Sequence, residues 1–225
     1  MSGAILPVLL RLAAAYLLGG VMGGDLMRLL RGGEDLRKTG SGNVGATNAL
    51  RSRGAAFAIG VLVIDIGKGV VAALVLPALP WLPAAPELQP WLPYACGLAA
   101  ALGHCYPAVH GFKGGKGVAT AVGVFGALLP AALPWMIGTF ALTVMLSGYV
   151  SLASLCGAAV AVGFTALFGD GIASKAGAFA LAMAALVVVK HRHNILRLLD
   201  GSESRFEKVM VLRRRPIAPP EGRND

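Results

Sequence analysis

Charge is scarce in this chain. Only 14% of its 225 residues are Asp, Glu, Lys or Arg, where a soluble globular domain carries about 25%. With 56% hydrophobic residues and a mean hydropathy of +0.70, that shortage excludes an ordinary soluble domain. Acidic residues are the rarer sign: 11 stand against 20 Lys and Arg, for a net charge of +9. The surplus does not mark a nucleic-acid binder. The basic residues border apolar runs instead of forming one soluble stripe, and no nucleic-acid motif accompanies them. Cysteine is limited to Cys96, Cys105 and Cys156. An odd number without CxxC spacing, in or beside apolar runs, predicts buried small hydrophobes and argues against disulfides or zinc. His191-x-His193 has no acidic or cysteine partner set, so no metal and no cofactor are expected.

The chain has apolar segments at approximately residues 4–27, 54–77, 91–108, 116–130, 133–147, 150–168 and 172–190, divided by Pro- and Gly-bearing breaks. Roughly 20 helical residues cross the hydrocarbon core of a bilayer, so the pattern predicts an all-α integral membrane protein with about seven transmembrane helices. The first run is too long for a signal-peptide core and lacks a basic N-terminal region, so it reads as a retained span. The fourth and fifth segments are short; they either fuse or form a hairpin bent at Pro130 to Pro134. A five-span arrangement with re-entrant segments suits the same charges. Arg28, Arg31, Arg37, Lys38, Arg51, Arg53, Lys113, Lys116 and the tail from Lys190 fall on one side of the seven-span arrangement, and only Glu87, Asp170 and Lys175 on the other. Lys- and Arg-rich short loops stay cytoplasmic. The N-terminus is therefore expected outside and the C-terminus in the cytoplasm. Residues 1–200 form a single membrane domain, and residues 201–225, with Arg213-Arg214-Arg215, form a cytoplasmic basic tail.

Three polar, glycine-rich clusters interrupt the apolar pattern, all on the cytoplasmic side. The first is SGNVGATNALR, from Ser41 to Arg51. Gly45 permits close backbone approach, Ser41, Asn43 and Asn48 offer hydrogen bonds, and Arg51 supplies a charged planar fork suited to phosphate. The second is FKGGKGVAT, with Lys113, Gly114, Gly115, Lys116 and Gly117. Its glycines are expected to expose backbone N–H groups, and a helix starting near Gly117 would add a positive dipole end. It is not a Walker loop: His110 and Gly117 stand where Gly and Ser or Thr belong. The third runs from His191 through Asn194 and Arg197 to Gly201 and Glu203. His191 and Asn194 are three residues apart and share a helix face. Any one of these clusters also suits a plain basic turn at a membrane surface. His104 and His110 read as hydrogen-bonded structural residues, and Asp65 with Lys68 as an ion pair within one span.

Together the clusters resemble the three motifs of the bacterial acyl-phosphate:glycerol-3-phosphate acyltransferases. SGNVGATNALR, GHCYPAVHGFKGGKGVAT and HRHNILRLLDGSE occur in the family's order, and the resemblance covers nearly the whole chain. It implies a seven-helix membrane enzyme of the bacterial inner membrane with its active site on the cytoplasmic side. That enzyme transfers a fatty acyl group from acyl phosphate to the sn-1 hydroxyl of glycerol 3-phosphate, yielding lysophosphatidic acid and phosphate, the first step of phospholipid biosynthesis. Ser41, Arg51, Lys113, His191 and Asn194 are then the catalytic residues. Asn43, Gly45, Asn48, Gly114, Gly115, Lys116, Gly117 and Ser151 contact substrate, and Glu203 is structural. The implied partners are glycerol 3-phosphate, fatty acyl phosphate, membrane lipids and an upstream enzyme that forms acyl phosphate. The chain departs from the family where Gly148 precedes Tyr149, a position commonly basic.

An acyl phosphate is already activated, so the reaction needs positioned charge more than a strong nucleophile. No His has an Asp five positions later, which excludes the His-x4-Asp mechanism of other glycerolipid acyltransferases. A transporter for a phosphorylated anion is the competing class, but the polar groups concentrate at one face, with Asp65 and Lys68 deep in a span.

Overall fold

A computed structural model describes residues 2–210. The expected tail arginines Arg213, Arg214 and Arg215 lie outside the described residues. All regular structure among the described residues is helical. The helices are α1 (Ser2–Gly20), α2 (Gly23–Arg31), α3 (Ala46–Arg53), α4 (Ala55–Leu74), α5 (Leu92–Cys105), α6 (Val118–Leu128), α7 (Leu133–Ser147), α8 (Val150–Phe168), α9 (Lys175–Lys190) and α10 (Arg192–Leu199).

The first apolar segment is one rod broken at Val21 and Met22, where α1 and α2 meet at 50°. A helix break leaves carbonyls and amides without partners. Here α4 supplies them. Lys68 Nζ donates to the carbonyls of Gly19 at 2.8 Å and Val21 at 2.7 Å, and the Gly23 N–H donates to Asp65 Oδ1 at 3.2 Å. Asp65 and Lys68 are themselves paired at 2.9 Å, one turn apart and buried. The intrahelical pair expected from sequence is present, and its task is to satisfy both sides of the break. At the other end of α4, the buried Arg11 donates from Nε and Nη2 to the carbonyls of Leu76 and Leu79.

The helices approach closely through small residues, as membrane helices do. A side chain at Gly19 would strike the Ala100 carbonyl, and one at Gly103 the Tyr16 carbonyl, so α1 lies directly against α5. Gly69 and Gly123 do the same for α4 and α6. Beyond these contacts Phe125, Phe179, Met183 and Met136 form the buried centre. The Phe179 ring stacks at a tilt against Phe125 and Tyr94, with centroids 5.2 and 5.6 Å away.

The fourth and fifth apolar segments are two separate helices. The chain turns between Leu129 and Ala132, and Pro134 sits in the first turn of α7, where its missing N–H costs nothing. By length and composition α4 and α8 suffice as complete spans, and the bent pairs α1–α2 and α9–α10 raise the number to four. This falls short of seven because α5, α6 and α7 have only 14, 11 and 15 residues. Ile59, Val63, Leu142 and Leu167 are exposed, an outward apolar surface suited to lipid.

Candidate active site

The three clusters converge on one cavity of about 660 Å³. Its polar wall carries Ser41, Asn43, Gly45, Asn48 and Arg51 from the first cluster, Lys116 and Gly117 from the second, and His191, Asn194, Arg197 and Glu203 from the third. Ser151 joins them from the first turn of α8. Most of the remaining wall is apolar, built from α4, α6, α7, α8 and α9 by residues such as Ile66, Val122, Phe140, Gly157 and Met183, and Asp65, His104, Ser154, Lys190 and His193 also line it. One end thus suits anions and the other a hydrocarbon chain.

Asn48 organises the first cluster. Buried on α3, its amide nitrogen donates to the carbonyls of Leu36, Thr39 and Asn43 within 3.0 Å, and its Oδ1 accepts the Ser41 N–H at 3.0 Å. The side chain expected to contact substrate is therefore occupied in folding the loop. Asn43 Oδ1 likewise accepts the Gly45 N–H at 3.1 Å. Asp25 on α2 then ties the first loop to the second. It accepts both guanidinium nitrogens of Arg37, at 2.7 and 3.0 Å, and lies 3.2 Å from His110 Nε2.

In the second cluster the glycines serve contact more than exposure. The Gly115 N–H donates to the His104 carbonyl at 3.0 Å. A Cβ at Gly114 would strike that same carbonyl, and one at Gly115 the His104 ring. The expectation of freely exposed amides at Gly115 is thus corrected. His104 is buried and bonded to Lys68 Nζ at 2.8 Å, a structural histidine as expected. Because the loop folds back on His104, Lys116 enters the cavity wall, whereas Lys113 is exposed and, like Gly114 and Gly115, does not line it. Gly117 takes φ +76 and starts α6 at Val118, where the helix was expected to begin.

The third cluster forms a connected network. Lys116 Nζ donates to Asn194 Oδ1 at 2.6 Å, and Asn194 Nδ2 donates to Glu203 Oε1 at 2.7 Å. The Ser151 hydroxyl donates to the same Oε1 at 2.9 Å, and Arg197 Nε to Oε2 at 2.7 Å. Ser151, expected to face a phosphate, directs its proton to Glu203 instead. Partial burial alone raises the Glu203 carboxyl, but hydrogen bonds from Asn194, Arg197 and Ser151 outweigh it and hold the group below its ordinary value. Burial pulls the Lys116 ammonium from 10.5 to about 8; Glu203 opposes that shift, and Arg197, Arg51 and Lys190 add to it. His191, just past the end of α9, is pushed down to about 4, first by burial and then by Lys116. Its Nδ1 lies 2.8 Å from the Val187 carbonyl. A carbonyl only accepts, so the ring proton sits on Nδ1, and Nε2 keeps a lone pair.

Sequence spacing did not mark Ser204, which lines the cavity, or Phe206, whose ring lies under Arg51 with the guanidinium carbon 4.4 Å from its centroid. No motif signals either one. Among the described residues no group of three His, Cys, Asp or Glu could hold a metal ion.

The glycerol-3-phosphate acyltransferase family model matches residues 9–201. The chain is 41% identical over 196 residues to a glycerol-3-phosphate acyltransferase of Syntrophotalea carbinolica, covering 87% of this chain and 96% of that one. It is 41% identical over 197 residues to one of Aquifex aeolicus, covering 85% and 95%. The solved structure of PlsY (YgiH), an integral membrane glycerol 3-phosphate acyltransferase in its glycerol 3-phosphate form, aligns with a TM-score of 0.77 at 37% identity, over 88% of this chain and 95% of that one. The lysophosphatidic acid form of PlsY gives 0.76 at 36% identity over the same shares.

Proposed function

The chain belongs to the glycerol-3-phosphate acyltransferase family, and from that premise we propose that it moves a fatty acyl group from acyl phosphate to the sn-1 hydroxyl of glycerol 3-phosphate. The products are lysophosphatidic acid and inorganic phosphate. The observation that carries this reading is the single cavity, with a cationic polar wall and a largely apolar remainder, in which residues of all three clusters meet.

The cationic end takes the phosphates and the apolar lobe takes the acyl chain. Arg51 grips a phosphate with its planar fork, and Lys116 adds a point charge beside it. The hydroxyl oxygen attacks the acyl carbonyl carbon, the bond from that carbon to the phosphate oxygen breaks, and phosphate leaves with the electron pair. Arg51 and Lys116 stabilise the charge on the leaving group. The hydroxyl proton goes to a substrate phosphate oxygen. With a second pKa of about 6, such a phosphate is a stronger base than His191, held near 4. His191 Nε2 instead accepts a hydrogen bond from the neighbouring sn-2 hydroxyl of glycerol 3-phosphate and so orients the acceptor. Ser41 lies on the loop beside Arg51 and hydrogen-bonds substrate, without acting as a nucleophile, and Asn43 and Gly45 shape that loop. Asn48 acts by positioning it. Asn194 and Glu203 hold Lys116 and Ser151 in place. Lys113, with Gly114 and Gly115, contributes from outside the cavity, through charge and the fold of the loop. Gly117 presents the start of α6.

The reading extends to topology. About seven spans within residues 1–200 put the N-terminus outside and the C-terminal segment in the cytoplasm. The active site then opens on the cytoplasmic side of the bacterial inner membrane, within reach of an upstream enzyme that makes acyl phosphate. The Lys and Arg distribution supports this orientation.

The test is purified protein in detergent with radiolabelled glycerol 3-phosphate and either acyl phosphate or acyl-CoA. Labelled lipid is expected with acyl phosphate alone. Transfer from acyl-CoA at an equal rate would overturn the donor assignment.

A further inference from the structure

Residues 202–210 run as a strap from the end of α10, past the cavity, to the turn between α7 and α8. Several contacts seat it. The Glu203 N–H donates to the Arg197 carbonyl at 3.0 Å, and the Phe206 N–H to the Gly148 carbonyl at 2.8 Å. The Arg205 guanidinium lies 4.7 Å from the centroid of the Tyr149 ring. Gly148 takes φ +75, and a Cβ there would lie 2.9 Å from Met210 Sδ and 3.3 Å from Arg205 Cβ, so the strap rests on the bare backbone of that turn. Phe206 is thereby anchored through its backbone at that turn. Arg51 lies over its face, 4.4 Å from the centroid, and its Nη2 donates to the Ser204 carbonyl at 3.4 Å.

We propose that Phe206 is a positioning residue, whose ring holds the Arg51 guanidinium at the cavity wall before a phosphate arrives. Arg51 stands near the end of the short helix α3, exposed and on a long flexible stem. An arginine side chain gives up much rotamer freedom when it grips a ligand. A ring face that orders it beforehand removes part of that loss from the binding step, and the guanidinium is attracted to the face in any case. The proposal rests on the reading of Arg51 as a phosphate-binding residue.

The test compares side chains at position 206 in the purified full-length protein, with kcat/KM for glycerol 3-phosphate as the readout. Phe206→Leu keeps apolar bulk and removes the ring face, whereas Phe206→Tyr keeps the face. Phe206→Leu is expected to lower kcat/KM by about two- to fivefold, the scale of an exposed cation–π contact, and Phe206→Tyr to match the wild type. Should the leucine variant fold poorly, Phe206→Met makes the same comparison. Wild-type kinetics in Phe206→Leu, or an equal loss in the leucine and tyrosine variants, overturns the proposal. Arg51→Ala separates the two levels of the argument. If it transfers normally, the phosphate-binding reading fails; if it is inactive while Phe206→Leu is normal, only the positioning role fails.

Discussion

At the scale of single residues, the ionisation of Lys116 makes the clearest prediction. Its ammonium is held at about 8 by burial, against an ordinary 10.5. The charged form is therefore lost from the free enzyme as pH rises through about 8, and kcat/KM for glycerol 3-phosphate should fall along an alkaline limb near that pH. Glu203 supports the charged form, so Glu203→Gln should move the limb to lower pH. The sign for stability is opposite. Between about 8 and 10.5 the folded chain binds fewer protons at Lys116 than the unfolded chain, so rising pH favours folding there while binding weakens. A pH profile flat to 9.5 in the wild type, or unmoved in Glu203→Gln, would remove Lys116 from the phosphate site.

At the scale of elements, the break between α1 and α2 depends on the α4 pair. Lys68→Met would strip the Gly19 and Val21 carbonyls of their donor and leave the Asp65 carboxylate buried beside an apolar chain. Breaking a buried pair in this way costs about 3–5 kcal/mol, so thermal unfolding in detergent should shift well below the wild type. An unchanged melting curve would show that the pair does not hold the bent rod. The elements themselves were largely legible beforehand. Apolar runs bounded by Pro and Gly marked six of the rods to within a few residues, because a helix in lipid must satisfy its own backbone. The break at Val21 and Met22 was not legible, because the side chains that satisfy it come from α4, Lys68 standing 47 residues from Val21 along the chain. Nor was the buried Arg11, whose partners are carbonyls in a distant loop.

At the scale of the whole molecule, the site was legible as chemistry but only partly as geometry. Residue type and order marked Arg51, Lys116, His191 and Asn194, which the fold brings to one cavity. The division of labour within each cluster was not readable. That Asn48 is consumed by its own loop, that Gly115 seats against His104 and that Lys113 stands outside the cavity all follow from how the loops fold back on the helices. The strap that carries Ser204 and Phe206 to the cavity lay beyond any pattern in spacing, since its contacts are to the turn at Gly148.

The central claim is that this cavity grips substrate phosphate through Arg51. Its most direct test is transfer of labelled glycerol 3-phosphate into lipid by wild-type protein and by Arg51→Ala, each purified, folded and supplied with acyl phosphate. The account predicts product from the wild type and a loss of at least about a hundredfold in the variant, the scale seen when a donor to developing charge is removed. Transfer by folded Arg51→Ala at a rate close to the wild type would contradict it.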